Sequence, residues 1–295
     1  MKFSEEYKKS LKMVETEEVF DLFIFRPLGY VVMKVFYYTS ATPNFLSLIS
    51  LFFGLISAFF IAHTGNFFLI YGALALAIAE IFDCSDGMLA RAKNNGTKFG
   101  KVFDGIIDYI VFFVVYLAIA IHLFITSTEI NIPGIIKVDG EYWLWFPLLF
   151  ITGFATMHHT ITIDGARNDF ISYCNGNETA YIKEEYERCK AGYNEIKDKK
   201  GYLTHKIMYN LYFFYMKVQM KALVKVKSGI TPEIYYRKNR FLMRLFTFFG
   251  PTMHLTLIMV CAVFNVLEIY VWIVLLPVTF LIITLQLIQK ASNNK

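Results

Sequence analysis

The chain has 295 residues, 56% of them hydrophobic and only 18% charged. Soluble domains average about 45–50% apolar and about 25% charged residues, so an ordinary soluble fold is excluded and a polytopic membrane protein is predicted. The formal net charge of +5 is too small to mark a nucleic-acid partner, and none is expected; where the charges fall matters more than their sum.

Met1–Glu18 is charged and lacks an apolar core, so no cleavable signal peptide is expected and the first span should remain as an anchor. Glu17–Tyr38 is aromatic and basic, but Arg26, Pro27, Gly29 and Lys34 interrupt its apolar pattern. Proline disfavours a helix interior, so this segment is predicted to be an interfacial amphipathic helix, with a kinked span as the alternative. A crossing needs about 20 mostly apolar residues, and about six stretches qualify. They are Phe45–Ala62, Phe67–Phe82, Phe103–Ile125, Leu144–Ile163, Phe241–Phe264 and Ile269–Ile288. The second is the shortest and should continue past Asp83; the fifth carries Arg244 and His254; the last two are separated only by a turn at Asn265.

The predicted fold is therefore an all-α integral membrane protein of about six transmembrane helices, with an N-terminal interfacial helix and a helical cytoplasmic insertion. The corresponding divisions are residues 1–43, 44–165, 166–240 and 241–295. Within the insertion, Glu178–Lys190 has mixed charges at helical spacing. Asn210–Lys227 interleaves Leu211, Phe213, Phe214, Met216 and Leu223 with Lys217, Lys221 and Lys225. This second piece reads either as a basic amphipathic helix on anionic lipid or as one of two helices packed together as a cap. Tyr235 and Tyr236 read as interfacial, and His158 and His159 as interior or interfacial histidines.

Charge asymmetry orients the chain. Arg91, Lys93, Lys98 and Lys101 follow the first aspartates, and Arg167–Arg244 is densely basic; Ser127–Glu141 instead carries Glu129, Asp139 and Glu141 against Lys137. Basic loops stay cytoplasmic, which places both termini, the insertion and the aspartates on that side and Trp143 and Trp145 at the opposite interface. Cys84, Cys174, Cys189 and Cys261 show no zinc-like spacing and read as reduced, structural residues.

The sharpest signal is the run Asp83-Cys84-Ser85-Asp86-Gly87-Met88-Leu89-Ala90-Arg91, followed by Gly100, Asp104 and Asp108. In a helix, Asp83 and Asp86 are i,i+3 neighbours and Asp104 and Asp108 are i,i+4 neighbours, so each pair projects from one face. Carboxylates gathered in a membrane segment repel one another and are usually functional. Their simplest neutraliser is a divalent cation, for which they are hard oxygen ligands.

The pattern D-x2-D-G-x2-A-R-x8-G-x3-D-x3-D resembles the signature of the CDP-alcohol phosphotransferase (phosphatidyltransferase) family, and every fixed position is met. Upstream, Thr42-Pro43-Asn44 with Ser47 is similar to the segment with which that family opens its first span. The resemblance covers roughly the first half of the chain and leaves the insertion uncovered. It implies transfer of a phosphoalcohol group from a CDP-linked donor to an acceptor alcohol with release of CMP. It further implies Mg²⁺ or Mn²⁺, expected as two ions, and commonly a homodimer. By the same resemblance Asp83, Asp86 and Asp104 are the principal metal ligands, and Asp108 is the general base that also touches a metal. Asn44, Asp83, Gly87, Ala90, Arg91 and Gly100 are expected to meet the nucleotide end of the donor. Gly87 and Gly100 could alternatively serve close helix packing, and Asn44 could cap its helix with Ser47 at the third position. Arg167, Arg240 and Arg244 are read as contacts to an anionic acceptor, or else as cytoplasmic anchors.

This makes a phospholipid-biosynthetic transferase using CDP-diacylglycerol the leading reading. The other direction within the family takes a soluble CDP-alcohol and a lipid acceptor. An intramembrane prenyltransferase usually has more widely separated aspartate motifs. A divalent-cation transporter would use intramembrane carboxylates too, but often shows inverted repeats, and no second copy of the aspartate pattern is found here.

Overall fold

The protein is described here from a computed structural model covering residues 7, 13–132, 136–138, 140–175, 181–222 and 231–294. Its helices are α1 (Arg26–Tyr37), α2 (Pro43–Ala62), α3 (Asn66–Ala92), α4 (Lys98–Ile125), α5 (Trp145–Cys174), α6 (Tyr181–Ile196), α7 (Leu203–Ala222), α8 (Pro232–Phe248), α9 (Pro251–Val263), α10 (Leu267–Ile273) and α11 (Thr279–Asn294). A small antiparallel hairpin, β1 (Ile130–Ile132) and β2 (Ile136–Val138), interrupts the otherwise helical chain between α4 and α5, pairing Ile130 with Val138.

Six stretches are long and apolar enough to cross a bilayer: Pro43–Ala62, Phe67–Ala92, Val102–Ile125, Tyr142–Cys174, Pro232–Val263 and Leu267–Ala291. This is an all-α, multi-pass membrane protein. The second span does run past the aspartates, and Asn265, with φ 54°, makes the tight left-handed turn before the last span.

The chain packs into two compact units. One comprises Met1–Leu11, Glu18–Met157 and Pro251–Phe280; the other comprises Lys12–Glu17, His158–Gly250 and Leu281–Lys295.

In the first unit α2 is the common neighbour, packing against both α3 and α4. Its sequence explains this role. Ser47, Ser50, Gly54, Ser57 and Ala58 lie on the buried side, whereas Leu48, Phe52, Leu55 and Phe59 are exposed at helical spacing. A small-residue seam lets helix backbones approach in the absence of a hydrophobic driving force between them. At Gly54 the approach leaves no room: a Cβ there would lie 2.6 Å from Val111 Cγ2 on α4. Thr42 caps α2, its side chain accepting from Phe45 N, and Pro43 fills the first position, where a missing N–H is harmless. Thr97 caps α4 by accepting from Gly100 N at 2.9 Å.

The Glu17–Tyr38 segment is not among the spans. It forms one π-helical turn, Asp21–Phe25, directly followed by α1 with Pro27 in the first turn. The widened turn falls where Pro27 cannot donate a hydrogen bond, so the proline is absorbed without ending the helix. Gly29, Tyr30 and Met33 are buried as α1 packs on α3, while Leu28, Val31 and Val35 are exposed.

In the second unit α6 and α7 pack together as a hairpin around Cys189 and Met216, with Tyr186, Tyr209, Tyr212 and Phe213 against them. The predicted amphipathic helix thus begins at Leu203, well before Asn210; residues 223–227 of that prediction lie outside the described residues, as do residues 178–180 of the preceding one. Tyr235 is buried against Phe170 and Tyr173, which corrects its interfacial assignment: an aromatic pair at the start of α8 faces helix as well as solvent.

Candidate active site

Helix length sets the level of the aspartates. At 1.5 Å per residue, about 30 Å of hydrocarbon is used up within roughly 20 residues. Measured from Asn66 on α3, and back from Ile125 on α4, that distance ends beside the aspartate pairs of both helices. Both pairs therefore reach the same edge of the bilayer while still anchored in rigid helix. The connection between them is short, with Asn94 at φ 51° closing α3. Lys93 donates to the carbonyls of Thr39 and Ala41, both at 2.8 Å, which fastens the start of α2 to the end of α3.

The carboxylates converge. Oxygens of Asp83, Asp104 and Asp108 all lie within 4.8 Å of one another. Side-chain contacts link Asp83 to Asp108 and Asp86 to Asp104. Asp86 is buried, 5% exposed, and accepts a short hydrogen bond from Ser47 on α2. Asp83, Asp104 and Asp108 are half-buried. Asp83 Oδ1 is buried without a hydrogen-bond partner among the described residues. A group of hard oxygen donors, one of them unsatisfied and all repelling one another, fits a divalent cation such as Mg²⁺ or Mn²⁺.

The small residues of the pattern have distinct surroundings. At Gly87 an added Cβ would meet only Arg91 Nη1, at 3.5 Å. No neighbouring helix needs the space, which argues against the close-packing reading. Arg91 is exposed and folds back along its own helix, so the open space beside Gly87 is bordered by a guanidinium. Ala90 is half-buried. At Gly100 an added Cβ would lie 3.0 Å from Asn44 Oδ1 and 3.2 Å from Thr97 Oγ1. Gly100 thus brings α4 beside the Asn44 amide. Asn44 is not the cap of α2, which removes one of its two sequence readings. Thr42 takes that position because Pro43 already starts the helix, and Asn44, inside the first turn, turns its side chain toward the aspartate-bearing helix instead.

Two features were missed in the sequence. Ser47, read only as a helix-start residue, orients Asp86. One turn before Asp83, Glu80 is 8% exposed and joins a second acidic group with Asp21 and Cys84. Here Thr252 Oγ1 donates to Asp21 (2.8 Å) and Glu80 (3.2 Å), Thr252 N donates to Glu18 (2.9 Å), and Arg26 pairs with Asp21 at 3.6 Å. This group is answered from within the protein and braces α1, α3 and α9. A glutamate inside a hydrophobic span is the only sequence sign of it.

The basic residues assigned to an acceptor belong to the second unit. Arg167 pairs with Asp164 at 3.1 Å. Arg240 is exposed. Arg244 Nη1 donates to the carbonyls of Val14 (2.9 Å) and Glu17 (3.1 Å), and Tyr236 on the same face of α8 donates to Glu15 at 2.6 Å. Arg244 therefore secures the N-terminal turn, a task that sequence spacing could not reveal.

No curated protein matches the chain. Residues 40–166, which contain α2, α3, α4 and the whole aspartate pattern, match the family model described as CDP-alcohol phosphatidyltransferase.

Proposed function

We propose that the protein is a metal-dependent transferase of phospholipid biosynthesis that moves a phosphatidyl group from CDP-diacylglycerol to an acceptor alcohol and releases CMP. The family carries the coarser activity, transfer of a phosphoalcohol group from a CDP-linked donor. The observation that supports the finer reading most is the convergence of Asp83, Asp104 and Asp108 within 4.8 Å at the mouth of an apolar bundle, where a lipid-linked pyrophosphate can reach them.

Asp83, Asp86 and Asp104 would hold the cation, with Asp108 at its edge; two ions fit the number of carboxylates. When bound, the metal supplies Lewis-acid polarisation of the donor's pyrophosphate and screens the carboxylates from each other. The protein's own groups do the rest. Asp108 takes the proton of the acceptor hydroxyl. The freed oxygen forms a bond to the lipid-side phosphorus, and the bond from that phosphorus to the bridging oxygen breaks, its electron pair leaving with CMP. Asp108 then returns its proton to water. Arg91 and the backbone at Gly87 are suited to the donor's phosphates and cytidine, with Ala90, Gly100 and Asn44 completing that wall. The basic stretch after Asp86 supports a cytoplasmic-facing site.

Gly87→Ala tests the wall. With space for a methyl inside the protein, the variant is expected to fold with unchanged thermal stability while its KM for the donor rises at least about tenfold, a cost of about 1.4 kcal/mol. An unchanged donor KM would remove Gly87 from the site. Ser47→Ala should release Asp86 and weaken metal activation about 10–100-fold, the usual size for loss of a residue that orients a ligand; Ser47→Thr should restore part of it. Metal titration of initial rates reads both.

The acceptor assignment of Arg167, Arg240 and Arg244 is carried as part of this proposal, with Arg244 limited to the N–H groups it does not already give to Val14 and Glu17. A panel of alcohols offered with CDP-diacylglycerol, scored by CMP release, tests the direction of transfer. Turnover with a phosphorylated, water-soluble alcohol is expected. Turnover only with a soluble CDP-alcohol and a diacylglycerol acceptor would reverse the assignment.

A further inference from the structure

The α6–α7 hairpin has two unlike outer faces. On α6 the exposed residues apart from Ala191 are charged or polar, including Glu184, Glu187, Arg188 and Lys190, and ion pairs link Arg188 to Glu184 (3.7 Å) and Lys190 to Glu187 (4.0 Å). Among the described residues of α6, no large apolar side chain is exposed. This is a face built for water.

On α7 the opposite holds. The side that packs on α6 is already filled by Tyr209, Tyr212, Phe213 and Met216. Yet Leu203 (71% exposed), Ile207 (51%), Leu211 (49%) and Phe214 (71%) form a second apolar stripe. At 100° per residue these positions fall within one narrow sector of the helix, turned away from the α6 contact. Lys217 is exposed along one edge of that sector, and Lys199 and Lys200 are exposed in the turn before it. From Lys199 to Thr231 the sequence has seven lysines and no acidic residue.

We propose that this stripe is a membrane-docking surface, with α7 lying in the interface of the same bilayer that the spans cross and held there by anionic lipid headgroups. Two observations select this occupant. The first is charge complementarity: an apolar stripe edged by lysines, with no acid on that arm, fits an anionic leaflet, and lysine stems can lie along the apolar surface while their ammonium groups reach the headgroups. The second is reach. Seven residue steps separate Cys174, at the end of a candidate span, from Tyr181 at the start of α6, and an extended chain of that length covers at most about 25 Å. The hairpin is thus tethered within reach of the bilayer surface, and α7 itself is not among the candidate crossing segments. The proposal does not depend on the reaction assigned to the aspartates.

The test places a single added indole on each face of the full-length protein, in vesicles of brominated phosphatidylcholine with or without brominated phosphatidylglycerol. The signal is the difference from the parent, which already has Trp143, Trp145 and Trp272. Phe214→Trp is expected to show blue-shifted emission that loses the larger part of its intensity in the anionic brominated vesicles. Asn194→Trp, on the outer face of α6, is expected to remain unquenched. Adding Lys217→Glu to Phe214→Trp should shift the docked fraction toward the undocked form about fivefold. Red, unquenched emission from Phe214→Trp would overturn the proposal, and so would blue emission that brominated lipid does not quench, since that means the stripe is covered by protein. Equal quenching at both positions would overturn it as well.

Discussion

Asp108→Asn is expected to lower CMP release by about 100- to 10,000-fold, the range general-base groups contribute, while the protein keeps its fold and still binds both Mn²⁺ and the donor. The expectation rests on place. Asp108 sits one helical turn beyond Asp104 on the same face of α4, and its oxygens lie within 4.8 Å of those of Asp83 and Asp104. Asparagine keeps the volume and an oxygen donor but cannot take a proton. Single-turnover CMP release and Mn²⁺ binding, measured on the same preparation, separate a lost proton acceptor from a lost ligand. Near-normal turnover would show that the proton leaves by another route.

Asp83→Ala should have the opposite signature, with a more stable protein that no longer binds metal well. Two ionised carboxylates within 4.8 Å repel by about 3 kcal/mol at an effective dielectric near 20. Asp83 also carries an oxygen that is buried and unsatisfied among the described residues. Removing it relieves both penalties, so metal-free Asp83→Ala is expected to unfold several degrees above the metal-free parent. Added Mg²⁺ should then raise the parent's unfolding temperature and leave the variant almost unchanged, with affinity reduced by more than about 100-fold, beyond the loss typical of an outer supporting residue. Functional sites commonly trade stability in this way. A variant less stable than the parent in the absence of metal would mean that Asp83 is a structural residue.

The aspartate geometry was legible because it depends mostly on one helix at a time. The i,i+3 and i,i+4 spacings fix which side chains share a face, and the length of the apolar runs fixes the spans. Relations between helices were harder to read. Ser47 meets Asp86 because the small-residue seam of α2 lies against α3, and no spacing in the sequence announces that register. Thr252 reaches Glu18, Asp21 and Glu80 across more than 170 residues of chain. Arg244 reads in the sequence as an acceptor contact or a cytoplasmic anchor, and carbonyls of the N-terminal turn engage it. The mistaken cap at Asn44 was a local error: asparagine is a good cap, but Pro43 had already claimed the first helical position, leaving Thr42 as the cap. Of the two readings of Asn44, a side chain beside Gly100 suits the donor-facing one.

The braced acidic group around Glu80 also bears on the transporter alternative. A conducting pathway needs carboxylates that exchange ions along a route. Glu18, Asp21 and Glu80 are instead bound by Thr252 and Arg26, which leaves the aspartates at the bilayer edge as the site that fits a metal. Enzyme and transporter make different demands on nucleotide chemistry.

The most direct measurement is CMP release from CDP-diacylglycerol by the purified full-length protein, with an acceptor alcohol, in the presence of Mg²⁺ and again after chelation. CMP should appear only when donor, acceptor and metal are all present, and should disappear in Asp108→Asn. Metal flux into sealed vesicles without any CMP formation would contradict the assignment of these four aspartates to phosphoalcohol transfer.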